Sequence, residues 1–266
     1  MKHTLLAAGA GLSGMAPALA QTAPEGGAPG KRVELEMLKG QEGVGNPREA
    51  HAYAMGMQAF EYGFPLIYMA NLMWKWSADP TSALKPLNAW IQTKEFVATS
   101  NYRDGGSFNT DTVYQAAFVD LRKGPMVMTS GDPEGHYSSI QLSDLYTNNF
   151  AYISKRSGGP IFGNFLLVPP GWTGSVPEGR FDRVLRCEQK WIFLLYRLRI
   201  DQEDPKEIAW AKAKYASSKI LPMDDFLAGR AFVANDFKVF DLAKVGRVPL
   251  RPFIILNHML AENPPP

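Results

Sequence analysis

Between residues 47 and 76 apolar side chains recur every three to four positions. Ala50, Tyr53, Ala54, Met57, Phe60 and Phe64 share one helical face, and Tyr68, Met69, Leu72, Met73 and Trp76 continue it. Asn46-Pro47-Arg48-Glu49 supplies the start signal: Asn46 can cap, Pro47 suits the first helical position and Glu49 can reach back to the cap. Pro65 has no backbone donor, so the pattern predicts a kink or break there and a second segment from residue 66 to 76. An aromatic and methionine stripe of this kind reads as core packing in preference to a ligand lid. After Asp79-Pro80 the stretch from 84 to 101, with Leu87, Asn88, Trp90 and Phe96, reads as irregular or short-helical.

Further along, the period shortens. Residues 113–121 mix alternation with an apolar run, Lys123-Gly124-Pro125 turns the chain, and residues 126–130 return it. Asp132-Pro133-Glu134-Gly135 is another turn, and Tyr137, Ile140 and Leu142 mark a third strand that runs on toward Tyr152, so a three-strand meander is expected. Residues 165–168 and 190–200 add strands, the latter apolar on both faces except at Arg197. Asp204-Pro205-Lys206-Glu207 repeats the capping pattern and opens a helix to about Lys219, and residues 253–260 form a short apolar helix. Many short strands at turn-punctuated spacing predict an α+β chain, mainly β, built as a sandwich with an N-terminal helical portion and a later helix. No internal repeat is present.

Composition narrows the class. A Leu/Ala/Gly-rich run after Met1-Lys2-His3, ending at Ala18-Leu19-Ala20, predicts a secretory leader over residues 1–20, cleaved near Ala20. The mature chain is therefore expected in the periplasm or outside the cell. Residues 21–45 read as a flexible arm and 46–266 as a single domain. Loss of Lys2 with the leader lowers the formal net charge from +2 to +1, which gives no ground for nucleic acid as a partner. No stretch predicts a membrane span. One cysteine, Cys187, excludes an internal disulfide and reads as buried and inert in preference to an intermolecular bridge. The chain has no Gly-rich phosphate loop before a helix, no histidine pair at metal spacing and no Gly-x-Ser-x-Gly elbow. No metal or cofactor is expected.

What remains is oxygen chemistry in the 108–152 stretch. Asn109, Asp111, Tyr114, Tyr137, Asp144, Tyr146 and Asn148 crowd the strand margins, and Arg197, inside the most apolar strand, wants a carboxylate partner. These eight residues are the candidate ligand-binding set, with Asp111, Tyr114, Asp144 and Arg197 expected in one polar cluster. Two readings stay open. The chain is a binding or accessory module offering an aromatic, hydrogen-bonding cleft to a small molecule or partner, or it is a hydrolase or lyase using Asp111 and Asp144 as paired carboxylates. Side chains that merely satisfy turns and buried hydroxyls would look the same, and Ca²⁺ ligation lacks its usual dense loop.

Asn109-Thr110-Asp111-Thr112-Val113-Tyr114, Val119-Asp120-Leu121-Arg122-Lys123-Gly124-Pro125, and the run from Tyr137 through Asp144 to Tyr146-Thr147-Asn148-Asn149-Phe150 resemble the bacterial family called domain of unknown function 1254. The resemblance spans about residue 46 to the C-terminus. It implies an immunoglobulin-like antiparallel sandwich and brings no established activity. Two positions depart from the family pattern, with Gln92 where a His is common and His136 where an Arg is common. In that pattern more helix and a second β-rich domain commonly follow a segment like 260–266. The expectation is a single-domain form whose apolar 253–260 helix meets a separately encoded companion domain or a second copy.

Overall fold

The computed structural model describes residues 47–81, 86–91, 109, 111–231 and 239–265. The expected leader, the arm, the cap at Asn46 and position 92 lie outside them. The chain divides into two compact units, residues 1–55 with 99–108 and residues 56–98 with 109–266. Of the first unit only the opening turns of helix α1 (Pro47–Ser77) are described. Everything below concerns the second.

Helix α1 runs through Pro65 without a break. The reason is packing: Gly63, Leu66, Ile67, Met69, Ala70 and Met73 are buried around the proline, and that burial outweighs one lost backbone bond. The apolar face expected before Pro65 is less covered, with Met57 exposed and Phe60 and Phe64 half-buried.

Eight strands follow: β1 (Thr112–Asp120), β2 (Met126–Ser130), β3 (Ser138–Asp144), β4 (Asn149–Ser154), β5 (Gly163–Val168), β6 (Arg183–Arg186), β7 (Trp191–Arg199) and β8 (Lys219–Pro222). They form two four-stranded sheets, ordered β1-β7-β3-β4 and β6-β5-β2-β8. The expected meander does not form, because β2 crosses to the second sheet and β7 inserts between β1 and β3. A strand apolar on both faces belongs in a sheet centre, where both faces are covered, and the β7 sequence has that character. Nor is the sandwich wholly antiparallel. Strands β5 and β6 pair in parallel, across a connection long enough to turn the chain round.

Alternate positions divide the layers. Ile192, Leu194, Tyr196 and Leu198 of β7 face the second sheet with Val113, Ala117 and Val119 of β1, and meet Met126, Met128, Phe165 and Leu167 there. Phe118, Trp191 and Phe193 point the other way, against Leu66, Met69 and Met73 of α1. Helix α2 (Pro205–Ser217) begins at Asp204, whose carboxylate accepts the Lys206 N–H, as the sequence predicts. Glu207 does not reach back to complete the cap; it meets His136 Nε2 at 3.0 Å instead. A short helix α3 (Met223–Leu227) follows β8, and α4 (Arg251–Glu262) buries Ile255, Leu256 and Met259 beside α1. Gly63 is required at that crossing, since a Cβ there would lie 2.4 Å from a Leu256 methyl. Most of the apolar 253–260 helix is thus covered within the unit, with Ile254 left 42 % exposed.

Cys187, just after β6, is buried, and burial pushes its thiol up to about 12. A raised thiol pKa favours the neutral form in the folded state. Its contribution is therefore intact below the unfolded value of about 8.5 and is lost as pH climbs toward 12. At pH 8 a disulfide-exchange reagent should leave the native thiol untouched and titrate it fully after denaturation; fast reaction of the native protein would contradict this burial.

Candidate functional site

The eight sequence-selected residues fall into two groups at opposite ends of β7. Thr112 pairs with Arg199 and Asp144 with Ile192, so seven residues of β7, roughly 23 Å at about 3.3 Å each, separate the two aspartates. Paired-carboxylate hydrolysis works across about 5–10 Å. The Asp111–Asp144 pair therefore does not exist, and neither does the four-residue cluster around it.

At one end Asp111 bonds Arg199 Nε at 3.0 Å, not Arg197, and both side chains are more than half exposed. Such a pair contributes at most about 1 kcal/mol. Asn109 donates to the Tyr114 hydroxyl at 3.0 Å, Tyr137 is exposed, and Arg197 lies 6.0 Å from the Tyr114 ring centre on the outer face of the sheet. At the other end Asp144 accepts from the Asn148 backbone and side-chain amides at 2.8 and 3.0 Å. These bonds close the β3–β4 turn, where Thr147 takes a positive φ of 70°. Tyr146 donates to the Asn263 carbonyl, and burial pushes its hydroxyl up to about 12. Asp144, Tyr146 and Asn148 are thus occupied with turn and packing bonds.

A guanidinium–carboxylate pair with a buried carboxylate and a partly exposed guanidinium forms elsewhere. Arg122 Nη2 meets Asp120 at 2.8 Å, and the Asp120 carboxylate has no exposed surface. The guanidinium also bonds Glu262 and lies 4.2 Å over the Trp191 ring. It walls a cavity of about 200 Å³ between Met73, Trp191, Phe240 and His258. With Arg122 held by two carboxylates, this smaller cavity has the character of a packing joint between β1, β7 and α4.

A larger cavity, about 460 Å³, opens between the two edge strands β1 and β8. Its construction starts at residues 86–91, which run beside the free edge of β1. Asn88 N donates to the Phe118 carbonyl at 2.9 Å, Ile91 and Ala116 exchange backbone bonds, and the Asn88 side-chain Oδ1 accepts from Asp120 N at 2.8 Å. Asn88 does this with φ 60°, a left-handed conformation that asparagine tolerates. The edge is thereby sealed and Trp90 is laid against Tyr196, ring centres 6.0 Å apart. From the other side Tyr215, at the end of α2, donates its hydroxyl to the Val113 carbonyl at 2.7 Å and packs edge-on against Tyr196. Burial holds that hydroxyl well above its ordinary pKa, so it remains a donor. Ser218, Lys219, Ile220 and Leu221 complete the wall, and Arg230 stands at the rim.

Six buried side-chain polar atoms among the described residues have no hydrogen-bond partner, and three belong to residues lining this one cavity: Asn88 Nδ2, Trp90 Nε1 and Gln115 Oε1. Asn88 is fully buried, Gln115 is 4 % exposed and Trp90 8 %. Leaving such an atom unmet costs about 1–3 kcal/mol. Two donors and one acceptor beside apolar walls are what a hydrogen-bonding ligand would satisfy. Among the described residues, no three His, Cys, Asp or Glu side chains converge in a way that could hold a metal ion.

Sequence reading missed this site. Asn88 and Trp90 lie in the stretch that reads as irregular or short-helical, and Tyr215 falls inside the helix predicted to run to about Lys219. Gln115 carried the available signal. It shares the inward parity of Val113, Ala117 and Val119, so an amide sits where the strand pattern calls for an apolar side chain.

A two-sheet α+β sandwich with helices against both outer faces and a cavity at its edge strands is the class these observations define. The chain belongs to the DUF1254 family: the family model described as "Protein of unknown function (DUF1254)" matches residues 88–220. That span begins at Asn88 and ends at Ile220, both in the cavity wall. Among solved structures, the VPA0106 protein from Vibrio parahaemolyticus is similar in fold, with a TM-score of 0.58 and 18 % identity over 77 % of this chain and 46 % of that one. An uncharacterised protein from Burkholderia cenocepacia aligns at a TM-score of 0.34 and 17 % identity, covering 81 % of this chain and 49 % of that one. The chain thus spans about half the length of these solved chains. No curated protein matches it.

Proposed function

We propose that this protein is a binding module that takes a small molecule in the β1–β8 cavity, and that it does so in the periplasm, where the expected leader would deliver it. The observation that carries the reading is that three residues lining one apolar-walled space, Asn88, Trp90 and Gln115, each hold a buried side-chain polar atom with no partner. A folded chain tolerates such atoms where something else supplies their partners. The cavity volume lies within the range of small-molecule sites. The two-layer packing also supports an immunoglobulin-like reading of the sandwich, with the parallel β5–β6 pair as its departure.

The test is a metabolite-library screen by thermal shift on the full chain, with each hit repeated on Trp90→Phe and Gln115→Leu. Trp90→Phe removes one N–H while keeping an aromatic wall. Each variant should bind a true ligand roughly tenfold more weakly, the worth of one neutral hydrogen bond. If every hit binds both variants as it binds the parent, or nothing binds saturably, the cavity is filled by water alone and the reading fails.

A further inference from the structure

We infer that the Arg197 end of the outer face of the β1-β7-β3-β4 sheet binds an acidic oligosaccharide, one whose sugar rings carry carboxylates. This surface shares no residue with the cavity and does not rest on the reading above. Strand parity builds it. Position 197 faces away from the core, because Tyr196 and Leu198 on either side of it are core residues. Register then sets Tyr114 of β1 on one flank of Arg197 and Ser139 of β3 on the other. The bond from Arg199 N to the Tyr137 carbonyl at 3.0 Å carries the ladder one residue beyond β3. Tyr137 and Gln141 share the parity of Ser139, and Gln141 stands opposite Tyr152 of β4. Helix α1 covers the far end of this face at Phe118 and Phe193. That cover stops short of Tyr137 and Tyr152, which are 46 % and 40 % exposed.

Three features that solvent reaches define the ligand. The Arg197 guanidinium is half-buried, 6.0 Å from the Tyr114 ring centre, and has no hydrogen bond or ion pair among the described residues. Asp111, at the adjoining strand end, is taken by Arg199 at 3.0 Å. A guanidinium held in a central strand and left unpaired is matched by a carboxylate, which it can grip with two parallel bonds. Beside it, Gln141 Nε2 donates to Asn149 Oδ1 at 2.7 Å, which leaves Gln141 Oε1 to accept and Asn149 Nδ2 to donate. That donor–acceptor couple suits adjacent hydroxyls of a sugar ring. Tyr137 and Tyr152 make no ring contact among the described residues, so each offers an apolar face on which a sugar can stack. The two lie about 14 Å apart, four residues along β3 and one strand across, with Arg197 between them. An open face of this length takes an extended chain. A peptide is the weaker fit, since the face offers side chains and no free backbone ladder.

The test is titration calorimetry on the full chain with tetramers of galacturonate and of mannuronate, beside methyl-esterified tetragalacturonate and tetraglutamate. At least one uronate tetramer should bind saturably, with the ester and tetraglutamate roughly tenfold or more weaker, the worth of a charged hydrogen bond. Arg197→Gln should remove that margin over the ester. Tyr152→Ala, at an exposed position, should weaken sugar and ester alike, and it decides the matter if Arg197→Gln does not fold. Trp90→Phe, which alters only the cavity, should bind the tetramer as the parent does. No saturable binding of either uronate, or binding of the ester or tetraglutamate as tight as the sugar acid, would overturn the inference. So would parent-like binding in Arg197→Gln and Tyr152→Ala, or a loss in Trp90→Phe, which would move the sugar to the cavity.

Discussion

Asn263→Ala should lower the unfolding free energy by about 3–5 kcal/mol, since it orphans several buried groups at about 1–3 kcal/mol each. Asn263 has no exposed surface. Its side-chain oxygen accepts from Lys190 N at 3.1 Å and Trp191 N at 3.2 Å, and its amide donates to Gln189 Oε1. Its carbonyl receives the Tyr146 hydroxyl, so one residue ties the end of α4 to the start of the central strand and to the β3–β4 turn. Truncation leaves two backbone donors and the Gln189 carbonyl without partners in a space too tight for easy hydration. In thermal unfolding this should appear as a fall of roughly 10 °C. A variant melting within a degree or two of the parent would show that the clip contributes nothing.

Asp120→Ala is the second large effect, about 2 kcal/mol, since it removes hydrogen bonds to a charged group, worth about 1.5–3 kcal/mol, without leaving a buried charge alone. The carboxylate is sealed from water while Arg122 is 28 % exposed and keeps Glu262, which limits the loss. Burial pulls the Arg122 pKa down, but its bonds to Asp120 and Glu262 more than reverse that and leave it raised. Urea denaturation should show a lower midpoint with an unchanged slope, because compactness is untouched. Asp120→Asn, which can still accept one guanidinium bond, should lose less. If Asp120→Ala unfolds at the parent's midpoint, the pair is not a stabilising one.

Much of the fold was legible because the β and helical periods are clean where burial is one-sided. Strand β2 falls on its predicted residues, and β1, β5, β7 and α2 lie within two residues of theirs. The strands that escaped are short and lack an apolar run: β6 is Arg183-Val184-Leu185-Arg186, and β8 ends at Pro222. The topology was not legible at all, because nothing local in β7 states that its partners are β1 and β3. The site was misdirected for another reason: β1 and β3 run the same way whether β2 or β7 lies between them, so Asp111 before β1 and Asp144 at the end of β3 stand at opposite ends of the sheet in either topology, and nearness in sequence was no guide. Arg197 proves half-buried on the outer face of the sheet, and the sealed group is a carboxylate instead, that of Asp120, which pairs with the partly exposed Arg122 two residues on. The cavity joins residues from 88 to 231, so only the misplaced amide of Gln115 hinted at it.

The insertion of β7 also sets the order in which the molecule can be made. Strands β1 and β3 have no ladder partner in common until residues 191–199 have left the ribosome, and β2 likewise waits for β5 and β8. At about 5–20 residues per second, the apolar edges of the early strands stay open for several seconds during synthesis. Pairings of such long sequence separation close slowly even in the finished chain. The β1-β7-β3-β4 sheet can therefore close only after residue 199 arrives, whereas β2, β5 and β6 of the other sheet are all present by residue 186.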